Sequence, residues 1–153
     1  LMTGGVSGFT GGDAISNSEL LELDCDVLVQ AALDNVITED NAHRIKVPLI
    51  MEAANHPITP GADRILNEAG VTILPDILVN AGGVIVSYFE WTQNIQEFHW
   101  EEDRVNEELK KTILLAYHAV QSRATKEGIT HRQASFEIGI QRVARVVELR
   151  GFV

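Results

Sequence analysis

The chain has 153 residues, 45% of them apolar, and a formal net charge of −10. That length can bury a real core, and that charge excludes binding to nucleic acid or anionic lipid by electrostatics alone. No apolar run approaches the roughly 20 residues a membrane-spanning helix needs, so neither a nucleic-acid nor a membrane partner is expected. The acidity is uneven: residues 1–75 carry 11 acidic and 3 basic side chains, residues 76–153 carry 11 and 9. The acidic face belongs to the first half, where it favours solubility and names no ligand.

Residues 4–12, G-G-V-S-G-F-T-G-G, read as a flexible connector. They match neither the phosphate-binding G-x-x-x-x-G-K-S/T pattern nor a G-x-G-x-x-G set between a strand and a helix. Ser16-Asn17-Ser18-Glu19 fits a capping box opening a short helix through Leu23. Cys25, the only cysteine, excludes an intrachain disulfide and a zinc site of several thiolates, and is expected to be a buried structural thiol. Asp26–Ala32 reads as a buried strand. Thr38 is placed to cap a helix from Glu39 to about Lys46.

Val47–Ala53 is the second expected strand, with Pro48 near its start, where a missing donor is tolerated. Thr59 then caps a helix with Pro60 at its first position and Gly70 as its stop. Val71–Leu74 is the third strand. Strands and helices alternating at this spacing predict an α/β fold with a doubly wound parallel sheet, which presents ligands at the carboxyl ends of its strands.

Beyond Pro75 the pattern turns helical. Residues 81–97 form one helical segment. Val105, Leu109, Ile113, Ala116, Tyr117, Val120 and Ala124 mark one face of a long amphipathic helix ended by Gly128. A final helix puts Ala134, Ile138 and Gln141 on one face and Phe136, Ile140 and Val143 on another, so it is expected to pack on two partners. His43, His56, His99, His118 and His131 show no His-x-x-x-His spacing, and no metal is expected. The chain opens at Leu1 without a signal-like segment and reads as part of something longer.

The three strand ends carry Ala31-Ala32, Asn55 after Ala53-Ala54, and Asn80 after Pro75-Asp76. Small residues let a flat ring approach the backbone, and paired glycines at 82 and 83 open the next turn. An Asn amide both donates and accepts, which complements a carboxamide. On spacing alone such asparagines are equally turn residues or helix caps. Asp40, Asp63, Glu101, Glu102 and Asp103 read as solvated helix ends. Phe89, Trp91, Phe98 and Trp100 read as packing residues.

Three stretches, D-C-D-V-L-V-Q-A-A-L, E-A-A-N-H-P-I-T-P-G-A-D and P-D-I-L-V-N-A-G-G-V-I-V-S-Y-F-E-W-T-Q-N, follow one another in the order and spacing of the glutamate dehydrogenase coenzyme domain. The tail, Arg142-Val143-Ala144-Arg145 and Leu149-Arg150-Gly151, continues the match over nearly the whole chain. The sequence therefore resembles the Glu/Leu/Phe/Val dehydrogenase family. With G-F-T-G-G-D-A upstream, it looks most like plant enzymes and their bacterial relatives. It departs at Ala53, often Gly in the family, and at Gln30, often Pro.

The resemblance implies reversible oxidative deamination of L-glutamate to 2-oxoglutarate and ammonium with NAD or NADP as cofactor. By matched position, Ala31 and Ala32 would line the nicotinamide–ribose site. Asn55 and Asn80 would hold the ribose and carboxamide. Val84 and Ser87 would face the substrate, with the Ser87 hydroxyl on the distal carboxylate of glutamate. Glu90, Gln93 and Asn94 would be hinge or interdomain contacts, and His56 would serve either the coenzyme or the turn before Pro57. Residues 1–80 would be the second half of a Rossmann-like NAD(P)-binding domain. Residues 81–153 would be a hinge helix and carboxyl-terminal helices packing back on an amino-terminal substrate domain.

In the family that substrate domain holds the catalytic lysine and its partner aspartate, so no catalytic residue is expected in this chain and it should be inactive alone. The family's hexamers imply a homo-oligomer, and the uncovered strand edge and helix faces imply self-association. The compartment would be the cytoplasm, or the mitochondrial matrix for a plant-type enzyme. A non-catalytic assembly domain keeping the dehydrogenase fold is the alternative.

Overall fold

The structure, a computed structural model, describes residues 8–151; the first part of the glycine-rich 4–12 connector lies outside them. Its elements are α1 (Asn17–Leu21), β1 (Val27–Gln30), a single 3-10 turn (Ala42–Arg44), β2 (Leu49–Glu52), α2 (Pro60–Glu68), β3 (Thr72–Leu74), α3 (Asp76–Val79), α4 (Ala81–Gln96), α5 (Glu102–Glu127) and α6 (His131–Arg150). The strands form one parallel sheet in the order β1-β2-β3. Gln30 lies opposite Glu52, and Met51 opposite Leu74.

Local chemistry sets the helix ends. Ser16 and Glu19 form the expected capping box on α1. The Thr59 side chain accepts from the Ala62 N–H at the start of α2, and Gly70 follows that helix with φ +83°, a left-handed turn a Cβ would strain. Gly128 does the same after α5 at φ +66°. Thr130 and Gln133 form a second capping box that opens α6.

The core of the sheet half lies on one sheet face. Leu28, Ile37, Val47, Ile50, Ile58, Ala62, Leu66 and Ile73 pack between the strands and α2. The other face of β1 is open, with Val27 42% and Val29 55% exposed. The strand is thus half-covered, not buried on both faces as its apolar run suggested. The helical half has a smaller core: Leu78, Val120, Ala124 and Ala134, with Ala116, Tyr117, Ile129 and Ile138 against it. α6 packs on α5 and touches β3, but Phe136, Ile140 and Val143 on its second face stay exposed, so only one of its two faces finds a partner here.

Several expectations are corrected. The helix expected over 39–46 is only the 3-10 turn. Asn41 folds the chain onto itself instead, its Oδ1 accepting from Thr38 N–H at 2.8 Å and its Nδ2 donating to Val36 O at 2.9 Å, the side-chain competition that disfavours helix. Cys25 is exposed, because it lies in the coil before β1. Asp63 is half-buried in an ion pair rather than solvated. Phe89 and Trp100 do pack, centroids 5.5 Å apart, but Trp91 and Phe98 are exposed. Gln93 turns inward, accepting from Trp100 N–H at 2.6 Å and donating to Phe89 O at 3.2 Å. Among the described residues no helix is long and apolar enough to cross a membrane.

Candidate functional site at the strand ends

β1 ends at Gln30, so Ala31 and Ala32 leave the sheet exposed beside the end of β2. The Ala54 N–H donates to Gln30 O at 2.7 Å, which holds the two strand ends level. The loop after β1 then runs along the loop after β2. Asn35 N–H donates to His56 O, and Val36 and Ile37 N–H both donate to Pro57 O. This pairing fixes the Asn55-His56-Pro57 turn, in which His56 takes the left-handed φ of +49°.

The third strand end reaches the same corner through α3. Asn80 closes α3 and opens α4, and its Nδ2 donates to Asn55 Oδ1 at 2.6 Å. The structure therefore brings Asn55 and Asn80 together although they are 25 residues apart. Asn80 Oδ1 and Asn55 Nδ2 have no further partner among the described residues, leaving one acceptor and one donor at this corner. Val84 and Ser87 continue from Asn80 along one stripe of α4, at helical spacing; both are exposed, Val84 by 76%.

Beneath this corner lies a charged cluster that the sequence reading did not find. Glu52 ends β2 fully buried. Its Oε1 accepts from Arg132 of α6 at 2.7 Å, and its Oε2 accepts from the Asp76 N–H at 2.9 Å. Arg132 Nε donates to Asp63 Oδ1 at 2.9 Å, and a third guanidinium nitrogen stands 3.7 Å from Asp76 Oδ1. Asp76 Oδ2 accepts from the His56 N–H at 2.8 Å. Burial opposes the charge on Arg132, but hydrogen bonds and attraction from Glu52 and Asp63 outweigh it, so its pKa is raised above the ordinary value. The missed signal was Glu52 itself: the period of β2 puts it on the Ile50 face, and a buried carboxylate requires a partner.

Gln30 is also buried, and neither its amide oxygen nor its nitrogen has a partner among the described residues. Two surface grooves lie elsewhere. One of about 490 Å³ is lined by Ile77, Phe136, Gly139, Ile140, Val143 and Ala144; one of about 440 Å³ lies along Arg123, Arg142 and Arg145. The Asn55–Asn80 corner is instead an open platform. Among the described residues no cluster of three His, Cys, Asp or Glu side chains could hold a metal ion.

A parallel sheet with helices against it, small residues and paired amides at its strand ends, and helices continuing from the last strand define an α/β domain of the Rossmann type. The chain belongs to the Glutamate/Leucine/Phenylalanine/Valine dehydrogenase family, whose model matches residues 2–151. It is 50% identical over 140 residues to the NAD-specific glutamate dehydrogenase of Staphylococcus aureus, covering 92% of this chain and 34% of that protein; the chain thus spans about a third of the length of the curated relatives it matches. Among solved structures it resembles glutamate dehydrogenase from Peptoniphilus asaccharolyticus, with 41% identity and a TM-score of 0.77 over 82% of this chain and 32% of that one. It also resembles a leucine-bound, hetero-hexameric glutamate dehydrogenase from Thermus thermophilus, with 29% identity and a TM-score of 0.84 over 93% of this chain and 35% of that one.

Proposed function

We propose that this chain forms the coenzyme-side wall of a glutamate dehydrogenase that converts L-glutamate, NAD(P)⁺ and water to 2-oxoglutarate, ammonium and NAD(P)H. The observation that carries this reading is the Asn80–Asn55 hydrogen bond. It leaves Asn80 Oδ1 to accept from a carboxamide NH₂ and Asn55 Nδ2 to donate to a ribose hydroxyl or carboxamide oxygen. Ala31 and Ala32, exposed where β1 ends, leave room for a ring against the backbone. The residues present thus fit a nicotinamide nucleotide, which when bound would accept the hydride. Relatives named NAD-specific favour NAD over NADP.

Val84 and Ser87 stand on the α4 stripe that starts at Asn80, where a substrate lying over the ring would meet them. Ser87 donates to the distal carboxylate of glutamate, and Val84 packs on its methylene chain. A site built to bond that carboxylate rejects leucine or phenylalanine, which would leave the hydroxyl unpaired. None of these residues can take a proton from the substrate amine, so the base comes from an amino-terminal substrate domain, and this chain is inactive by itself. Residues 1–80 act as the coenzyme-binding part and 81–153 as the hinge and docking helices, within a homo-oligomer in the cytoplasm.

The test grafts this chain into the matching third of the Staphylococcus aureus enzyme. In the active chimera, Ser87→Ala should raise KM for glutamate about tenfold, the scale of one hydrogen bond to a charged group, with KM for NAD⁺ within about twofold. An unchanged KM for glutamate removes Ser87 from the substrate site. A second reading, an assembly domain without catalysis, draws on the exposed Phe136–Ile140–Val143 face; it requires the chimera to assemble without turning over.

A further inference from the structure

We propose that Arg132, on the last helix, is a positioning residue for the coenzyme corner, acting through Glu52 and Asp76. The inference rests on the reading of Asn55 and Asn80 as coenzyme ligands. Arg132 itself touches neither residue. It grips Glu52 at 2.7 Å and faces Asp76 at 3.7 Å, and those two carboxylates hold both halves of the platform.

On one side, Asp76 Oδ2 accepts the His56 N–H. His56 sits at a left-handed φ, a conformation a non-glycine residue keeps only when its surroundings hold it. Asn55, the residue before it, is aimed by that turn. On the other side, Glu52 Oε2 takes the N–H of Asp76 and Asp76 Oδ1 takes the N–H of Ile77. These bonds satisfy free donors of the first turn of α3. α3 is a single turn, and Asn80 is its last cap. Fixing its start therefore fixes Asn80. One guanidinium so ties β2, α2 and α3 to α6, and the Asn55–Asn80 pair sits over the junction.

The cluster has a shape that suits this work. A planar fork can serve Glu52 and Asp63 at once while facing Asp76; a lysine ammonium is one point charge and cannot span all three. Asp63 lies on α2 and bonds Arg132 and Asn67 but no residue of the platform, so the bond to it anchors Arg132 without touching the corner. This separates two kinds of effect. Loss of the Asp63 arm loosens α2, whereas loss of the Glu52 and Asp76 arms loosens the turn and α3.

The experiment uses the full chain labelled with ¹⁵N, wild type beside Arg132→Lys, Arg132→Met and Asp63→Asn. In Arg132→Lys the thermal midpoint should stay near wild type, while the His56 amide exchanges about tenfold faster, the scale of one charge-assisted hydrogen bond, and the Asn80 side-chain amide signals move. Arg132→Met should show the same changes, larger. Asp63→Asn should leave the His56 and Asn80 signals in place. The proposal is overturned if Arg132→Lys leaves those signals on the wild-type positions, or if its changes spread equally over α2 and the strands. Addition of NAD⁺ to the wild-type chain tests the underlying reading separately: shifts at Asn55 and Asn80 support it. Their absence would count against the coenzyme role and leave the mechanical link from Arg132 to the turn intact.

Discussion

The two halves of this molecule spend their apolar side chains differently. From Val36 to the end of β3 no large apolar side chain is exposed, and Ile37, Ile50, Val47 and Leu66 are at most 1% exposed. From Ala81 onward, among the described residues, Val120 is the one large apolar side chain that is buried, and about half of the rest are exposed. α4 runs for 16 residues without burying one of them, and Val84, Tyr88, Trp91 and Ile95 on it are each more than half exposed. This helix continues from α3 through Asn80, is closed by a left-handed Glu97 and packs on α5 along one side only, leaving the rest of its apolar surface bare. The sheet half has its own apolar core, whereas the helical half leaves apolar faces uncovered among the described residues. The candidate site lies on the seam, with Asn55 on the first side and Val84 and Ser87 on the second.

The largest effect is expected where the halves are riveted together. Glu52→Leu leaves the Arg132 charge without its buried partner, and should cost about 3–5 kcal/mol in urea unfolding. A loss below about 1 kcal/mol would mean that the halves do not depend on this joint. Next comes the contrast itself. Leu66→Ala should cost about 2–5 kcal/mol as a core cavity, while Ile140→Ala, at a side chain 65% exposed, should stay within about 0.5 kcal/mol. Equal losses would show that α6 is already packed on both faces.

The bare faces predict association. Sedimentation at micromolar concentration should show self-association, reduced by Ile140→Glu on α6; a clean monomer would contradict the uncovered-face account. The smallest effect concerns pH. Burial lowers the pKa of His131 below its ordinary 6.5. The unfolded chain therefore takes up this proton first as pH falls, so the stability His131 contributes is present above about 6.5 and is lost below it. The thermal midpoint should fall between pH 7 and 5, and His131→Gln should flatten part of that slope.

How much of this was legible in the chain follows from distance along it. Thr59, Pro60 and Gly70 announce α2 because a cap, a fixed φ and a left-handed stop are local events. The Asn80-Ala81-Gly82-Gly83 corner was legible for the same reason, though α3, one turn cut between Pro75 and Asn80, was not. The helix expected after Thr38 fails because the Asn41 side chain closes a tighter turn. The cluster of Glu52, Asp63, Asp76 and Arg132 draws on four elements and up to 80 residues of separation; the period of β2 shows that Glu52 needs a partner, but not which one. Asp63 looks like any acidic residue in a first helical turn until α6 is folded against it.

The most direct test of the central claim is glutamate-dependent reduction of NAD⁺, followed at 340 nm, for this chain alone and for the chimera in the Staphylococcus aureus enzyme. The chimera should turn over and the chain alone should not, because the proposed platform for coenzyme and substrate has no base beside it. Turnover by the chain alone would contradict that claim. So would a folded, assembled chimera that binds glutamate and NAD⁺ and reduces nothing.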